Sequence, residues 1–206
     1  MSTTPRERPI LFSGPMVRAI LEGRKTQTRR VAKPPPKAVF LPDDQWKIDV
    51  DEPGTAYMDD ESGRLRITCP YGQPGDRLWV RETWKTCDGI YVPGVEFTDG
   101  SRAFPEFDDL HAMPSDHQDY SRKRSPIYMP RWASRITLEI TRVRVELLHS
   151  ITAEDCIAEG APFGLAMTTR REVIDWYRDM WVKVNGRESA DANPWVWVID
   201  FERIKP

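Results

Sequence analysis

Apolar and polar positions along this chain mark out a few short elements separated by long polar stretches. Ile10-Leu11-Phe12 is an apolar run that reads as a strand. Pro15 suits a first helical position, and Val17, Ile20 and Leu21 share one helical face before Gly23 ends it. Lys25 to Val31 reads as extended chain, closed by Lys33-Pro-Pro-Pro36. Arg77 to Glu82 alternates with a period of two, with Leu78 and Val80 on one side, which predicts another strand.

The strongest strand signal runs from Arg135 to Leu148. Ile136, Leu138 and Ile140 share one parity, whereas Val143, Val145 and Leu147 share the other. The switch near Thr141-Arg142 predicts a bulge or sharp bend. Thr152 with Asp155 forms a variant of the capping box ahead of a short helix ended by Gly160. A second helix, Arg171 to Val184, puts Val173, Tyr177, Met180, Trp181 and Val184 on one stripe. Asn185-Gly186 closes it, and Trp195 to Phe201 reads as a strand with Trp195, Trp197, Ile199 and Phe201 on one face.

Two stretches, about 34–68 and 86–130, are rich in Pro, Gly, Asp and Ser and read as surface insertions, with strand only at Leu65 to Thr68. The order of elements argues for an α+β fold: a small, partly closed antiparallel barrel with short helices packed on it. A length of 206 residues fits a single domain carrying the two insertions.

Charge changes this picture locally. The 30 Lys+Arg and 32 Asp+Glu residues sum to −2, which excludes a uniformly basic polyanion binder. Yet Arg18, Arg24, Lys25, Arg29, Arg30, Lys33 and Lys37 cluster with only Glu22 against them. That field suits a phosphate, or else a solvated face paired with the acidic stretch at 43–61. No apolar run approaches the ~18 residues of a membrane span. With no signal-like start and three widely spaced cysteines, a cytoplasmic protein without membrane, disulfide or zinc ribbon is expected.

Candidate chemistry is sparse. Glu159 falls in the last turn of a short helix, where the macrodipole disfavours an anion unless a cation lies close. A Thr28 hydroxyl becomes a nucleophile only with a base beside it, and a desolvated Lys25 is one such base. Trp79, Trp84, Trp195 and Trp197 read mainly as core; Trp132, between Arg131 and Arg135, is a base-stacking candidate. His111 and His117 with Asp108, Asp109, Asp116 and Asp119 have no metal-ligand spacing, so no metal or other cofactor is expected; His149 reads as structural.

Gly23-Arg-Lys-Thr-Gln-Thr-Arg-Arg30, after a strand and short helix, resembles the signature G-x-K-x-x-E-x-R of the ASCH (activating signal cointegrator homology) domains, a branch of the PUA-like barrels. Thr28 stands in place of the usual Glu, as it does in the small bacterial ASCH proteins that hydrolyse N4-acetylcytidine. Pro74-Gly75-Asp76, Ile151 to Glu159 and Val198 to Phe201 resemble further family segments in order, and the whole chain is similar to longer phage and prophage ASCH-like proteins.

The resemblance implies a metal-independent amidohydrolase acting on an N4-acylated cytosine or cytidine. Lys25 would be the base and the cation that holds the Glu159 carboxylate, Thr28 the nucleophile, and Glu159 the residue that orients the site and protonates the leaving amine. The convergence of Lys25 and Thr28 requires Lys25 to lie in the loop after Gly23, or a bulge between them, because strand residues three apart face opposite ways. Arg24, Thr26, Arg29, Arg30, Arg77, Trp79, Arg81, Glu82 and Trp132 complete the expected substrate-binding set. The expected partner is a small nucleoside or base. The alternatives are a PUA-like module binding single-stranded RNA or DNA, an ASCH-type ribonuclease, and a phage accessory protein acting on a host protein.

Overall fold

Two long strands organise the molecule, whose computed structural model describes residues 4–33, 47–48, 54–60, 63–87, 94–103, 122–162, 164 and 167–204. They are β10 (Thr137–Leu147) and β11 (Trp195–Ile204), paired antiparallel from Thr137↔Ile204 to Leu147↔Trp195. On one side β11 pairs antiparallel with β2 (Gln27–Val31); on the other β10 pairs antiparallel with β6 (Arg77–Arg81), which pairs parallel with β1 (Glu7–Leu11). The register slips between Ile140 and Arg142, at the parity switch in the sequence. A turn fixes the slip: Gly75 N–H donates to Ile140 O (2.8 Å) and Ile140 N–H to Asp76 O (2.9 Å). Buried Asp76 holds that turn by accepting from the amides of Arg6 (3.0 Å) and Gln73 (3.2 Å).

The sheet order β1-β6-β10-β11-β2 leaves β1 and β2 as edges, so the barrel expected from the sequence is an open, mixed sheet among the described residues. A side chain spans the gap: Arg30 Nη2 donates to Leu11 O at 2.9 Å. Helix α1 (Gly14–Leu21) covers the open side, burying Val17, Ala19 and Ile20, with Pro15 in its first turn.

Alternation along β10 and β11 sorts residues into two cores. Ile140, Val143, Trp197, Ile199 and Phe201 pack with Ile10, Phe12, Leu78 and α1. Val196 and Val198 point the other way, against α2 (Ala153–Ala158) and α3 (Arg170–Asn185) through Cys156, Val173, Tyr177 and Trp181. Each of these helices starts on a complete capping box, Thr152 with Asp155 and Thr169 with Glu172. A short α4 (Arg187–Asp191) follows α3.

The two polar stretches carry more strand than their composition suggests. β3 (Lys47–Ile48), β4 (Thr55–Asp60) and β5 (Gly63–Thr68) form one small sheet; β7 (Trp84–Cys87), β8 (Gly94–Phe97) and β9 (Arg102–Ala103) form another. Trp84, Val95, Phe97 and Met129 give the second sheet its own buried cluster. Strands of two to six residues are too short to show a clear period of two.

Candidate active site

The loop between α1 and β2 docks side by side on the C-terminal end of α2. Arg24 Nη1 donates to Gly160 O (2.7 Å), Lys25 Nζ to Glu159 O (2.9 Å), and Thr26 N–H to Ala158 O (2.8 Å). These bonds satisfy carbonyls that a helix end leaves without intrahelical partners. Gly160, at φ +103°, makes the approach possible: a Cβ there would lie 3.1 Å from Ala19 Cβ and 3.3 Å from Lys25 Cβ.

Lys25 therefore lies in the loop, and its side chain is fully enclosed. Its three donors go to Gln27 O (2.7 Å), Glu159 O (2.9 Å) and Glu159 Oε2 (2.5 Å). Burial pushes its pKa below the usual 10.5; the Glu159 carboxylate opposes this, while Arg30 and Arg29 add to it. Lys25 is also the cation that makes a carboxylate tolerable at this helix end.

Thr28, 1% exposed, sits on the β2 face turned toward Phe12. Its hydroxyl accepts from Arg30 Nη1 at 2.8 Å and makes no hydrogen bond with Lys25. The Lys25 ammonium and the Arg30 guanidinium both lie near the Phe12 ring, 5.6 and 5.2 Å from its centroid. One ring thus gathers a buried amine, a guanidinium and, through it, a threonine hydroxyl.

Gln27 and Arg29 occupy the opposite face of β2. The Arg29 side chain is fully enclosed and reaches Asp155 (3.1 Å), Glu146 (3.3 Å) and Glu159 Oε1 (3.7 Å), over Tyr177. Burial favours the neutral acid at Asp155, but bonds from Gln27 and the charge of Arg29 win and hold its pKa below 3.8.

The remaining expected residues lie elsewhere. Arg24 binds Glu22 as well as Gly160 O, and the Thr26 side chain is exposed. Trp79 packs beneath Arg81 and Arg131, with Arg77 on the same strand; Glu82 forms a two-pronged pair with Arg135; Trp132 packs on the Trp84–Phe97 cluster. Of the expected site residues only Arg24 and Glu159 line the groove between α1 and α3; Lys25, Thr26, Thr28, Arg29, Arg30, Arg77, Trp79, Arg81, Glu82 and Trp132 do not. The histidine and aspartate group at 108–119 lies outside the described residues. Among the described residues no three metal-ligating side chains come together, and no helix is long and apolar enough to cross a membrane.

That groove, between α1 and α3, went unread in the sequence. Met180 and Val184 sit on the predicted core stripe of α3, yet Val184 is 61% exposed and both line the groove with Trp176 and Met16. The available signal was an apolar arc on α3 wider than one core needs.

No protein-family model, curated protein or solved structure matches this chain.

Proposed function

We propose that this protein is a PUA-like ASCH hydrolase that removes the N-acyl group from a modified pyrimidine nucleoside or base, N4-acetylcytidine being the type substrate. The observation that carries the reading is the buried Lys25–Glu159 pair, with Lys25 sharing the Phe12 ring with Arg30, which donates to the Thr28 hydroxyl.

Neutral Lys25 takes the Thr28 hydroxyl proton as Oγ attacks the acyl carbon, and Arg30, already donating to that oxygen, favours its anionic form. The short Lys25–Glu159 bond lets the proton pass to the carboxylate, which gives it to the exocyclic nitrogen as the C–N bond breaks. The amine leaves, and water then hydrolyses the acyl-threonine ester, releasing the carboxylic acid and restoring the Thr28 hydroxyl. Lys25 moves from its present bonds to reach Thr28 in the first step.

The test is release of cytidine from N4-acetylcytidine by the wild type beside Lys25→Met, Thr28→Ala and Glu159→Gln. Turnover by the wild type and its loss, at least a hundredfold, in each variant that retains its fold support the reading. An inactive wild type, or variants of undiminished rate, overturns it.

A further inference from the structure

The residues of the proposed chemistry are shut away from solvent. Thr28 is 1% exposed and the Lys25 side chain is fully enclosed. The groove between α1 and α3 reaches Glu159 but neither Lys25 nor Thr28. A nucleoside can meet the Thr28 hydroxyl only where part of the surrounding structure moves aside, and the part that moves is the one that gives way at least cost.

Two of the barriers around Thr28 are backbone. β2 is zipped to β11 over five register pairs, from Gln27↔Asp200 to Val31↔Val196. Ahead of β2, Arg24, Lys25 and Thr26 tie the loop to carbonyls at the end of α2. Opening either breaks several bonds together with close-packed core. The remaining side is the gap between β2 and β1, the two edges of the main sheet.

Across that gap the closure is one side chain. Arg30 Nη1 donates to the Thr28 hydroxyl (2.8 Å) and to Arg29 O (3.0 Å), while Nη2 donates to Leu11 O (2.9 Å). The guanidinium lies 5.2 Å from the Phe12 ring centroid, and the Lys25 ammonium 5.6 Å from the same ring. Arg30 therefore occupies ground next to both groups of the proposed first step.

Its hold is weak beside that of the structural arginines. Arg29 is fixed by Asp155 and Glu146, Arg135 by Glu82 and Asp99, and Arg144 by Asp200 and Asp155. Arg30 makes no ion pair among the described residues and has only neutral acceptors, which bind a guanidinium about half as strongly as a carboxylate does. Its bond to Leu11 O lies at the exposed end, beside a Leu11 side chain that is 47% exposed, where water replaces it at little net cost. Rotation of a partly exposed side chain takes on the order of nanoseconds, against about a millisecond or longer for a typical turnover.

We infer that the substrate reaches Thr28 through the gap between β1 and β2, and that Arg30 is its gate. The side chain swings out and the acyl group enters. On its return Nη1 regains the Thr28 hydroxyl and Nη2 takes the acyl carbonyl in place of Leu11 O, which sets the acyl carbon beside Oγ. The identity of the entering group rests on the proposed function; the gate rests on the geometry of Arg30.

Thr28→Cys puts a reporter thiol behind the gate, against a quiet background, because Cys69, Cys87 and Cys156 are all buried. Iodoacetamide labelling of the whole folded chain, read by mass spectrometry, compares this variant with the double variant that adds Arg30→Ala. The thiol at position 28 is expected to label at least tenfold faster in the double variant, with the three native cysteines unchanged. Loss of a neighbouring positive charge by itself slows a thiol, so faster labelling reports access rather than reactivity. Equal rates with and without Arg30 overturn the gate. So do native cysteines that speed up in step with position 28, since Arg30 then only holds the fold together. The labelling needs no turnover. If the wild type hydrolyses N4-acetylcytidine while labelling ignores Arg30, the gate falls and the proposed function stands. If Arg30 controls labelling and the wild type is inactive, the reverse holds.

Discussion

A lysine almost without solvent contact is costly unless every donor is bonded, and Lys25 meets that condition with three acceptors, two of them on Glu159. Removing one charge strands the other, which typically costs about 3–5 kcal/mol, whereas replacing both with apolar groups of similar size often costs little. Lys25→Met and Glu159→Leu should therefore each lower stability in urea denaturation, and the double variant should be more stable than either. Its turnover should stay absent, which separates chemistry from folding. The lowered pKa makes a second prediction. If neutral Lys25 is the base, kcat/KM rises with pH through a midpoint below 10.5, and the rising limb disappears in Lys25→Met. Between the lowered pKa and 10.5 the unfolded chain holds more protons on Lys25 than the folded chain does, so this group's contribution to stability increases with pH across that window. At this scale the Lys25–Glu159 bond was legible only through the family resemblance, which sets Lys25 as the cation beside Glu159; residue spacing does not show it, because 134 residues separate the partners. Arg29 was misleading for the same reason: its carboxylate partners Glu146 and Asp155 are distant in sequence, so a structural arginine reads as part of a basic surface.

At the scale of elements, α2 is six residues long and depends on both of its ends. Its start is the Thr152–Asp155 capping box; its end is held by the 24–26 loop passing over Gly160. Thr152→Ala should cost about 1 kcal/mol, the usual value of an N-cap. Gly160→Ala should cost more, about 1–3 kcal/mol, since its positive φ strains an L-residue and the added Cβ meets Ala19 and Lys25. The same variant should reduce turnover out of proportion to its stability, because Lys25 is displaced; thermal melts beside kcat measurements check both. Signals of this local kind were legible in the sequence: the capping box, the β10 parity switch and the final strand all lie within a few residues of their cause. The small sheets were not, since two- to six-residue strands owe their existence to partners rather than to their own pattern. Nor was the openness of the main sheet. Whether β1 meets β2 depends on α1 and on one arginine crossing the gap, neither of which strand periodicity encodes.

For the whole molecule, β11 is the shared wall of two cores. Trp197, Ile199 and Phe201 face α1 and the sheet interior, whereas Val196 and Val198 face α2 and α3. Within the basic run, Lys25 and Arg29 are consumed by buried carboxylates and Arg24 by Glu22 and Gly160, whereas Arg18 and Lys33 are exposed. The two cores also meet at the proposed site, for Lys25 touches the Phe12 side while Glu159 reaches toward Arg29 and Tyr177. Loosening either core should then loosen both. Trp197→Ala in the first and Trp181→Ala in the second should each cost about 3–5 kcal/mol, the usual range for a buried tryptophan. In each variant, far-ultraviolet circular dichroism and tryptophan fluorescence should still report one coincident urea transition, shifted to lower concentration. Two separated transitions would mean that α2 and α3 melt apart from the sheet. Coincident ones would mean that the two cores melt as one unit, so that a ligand bound on either side raises the stability of the entire chain.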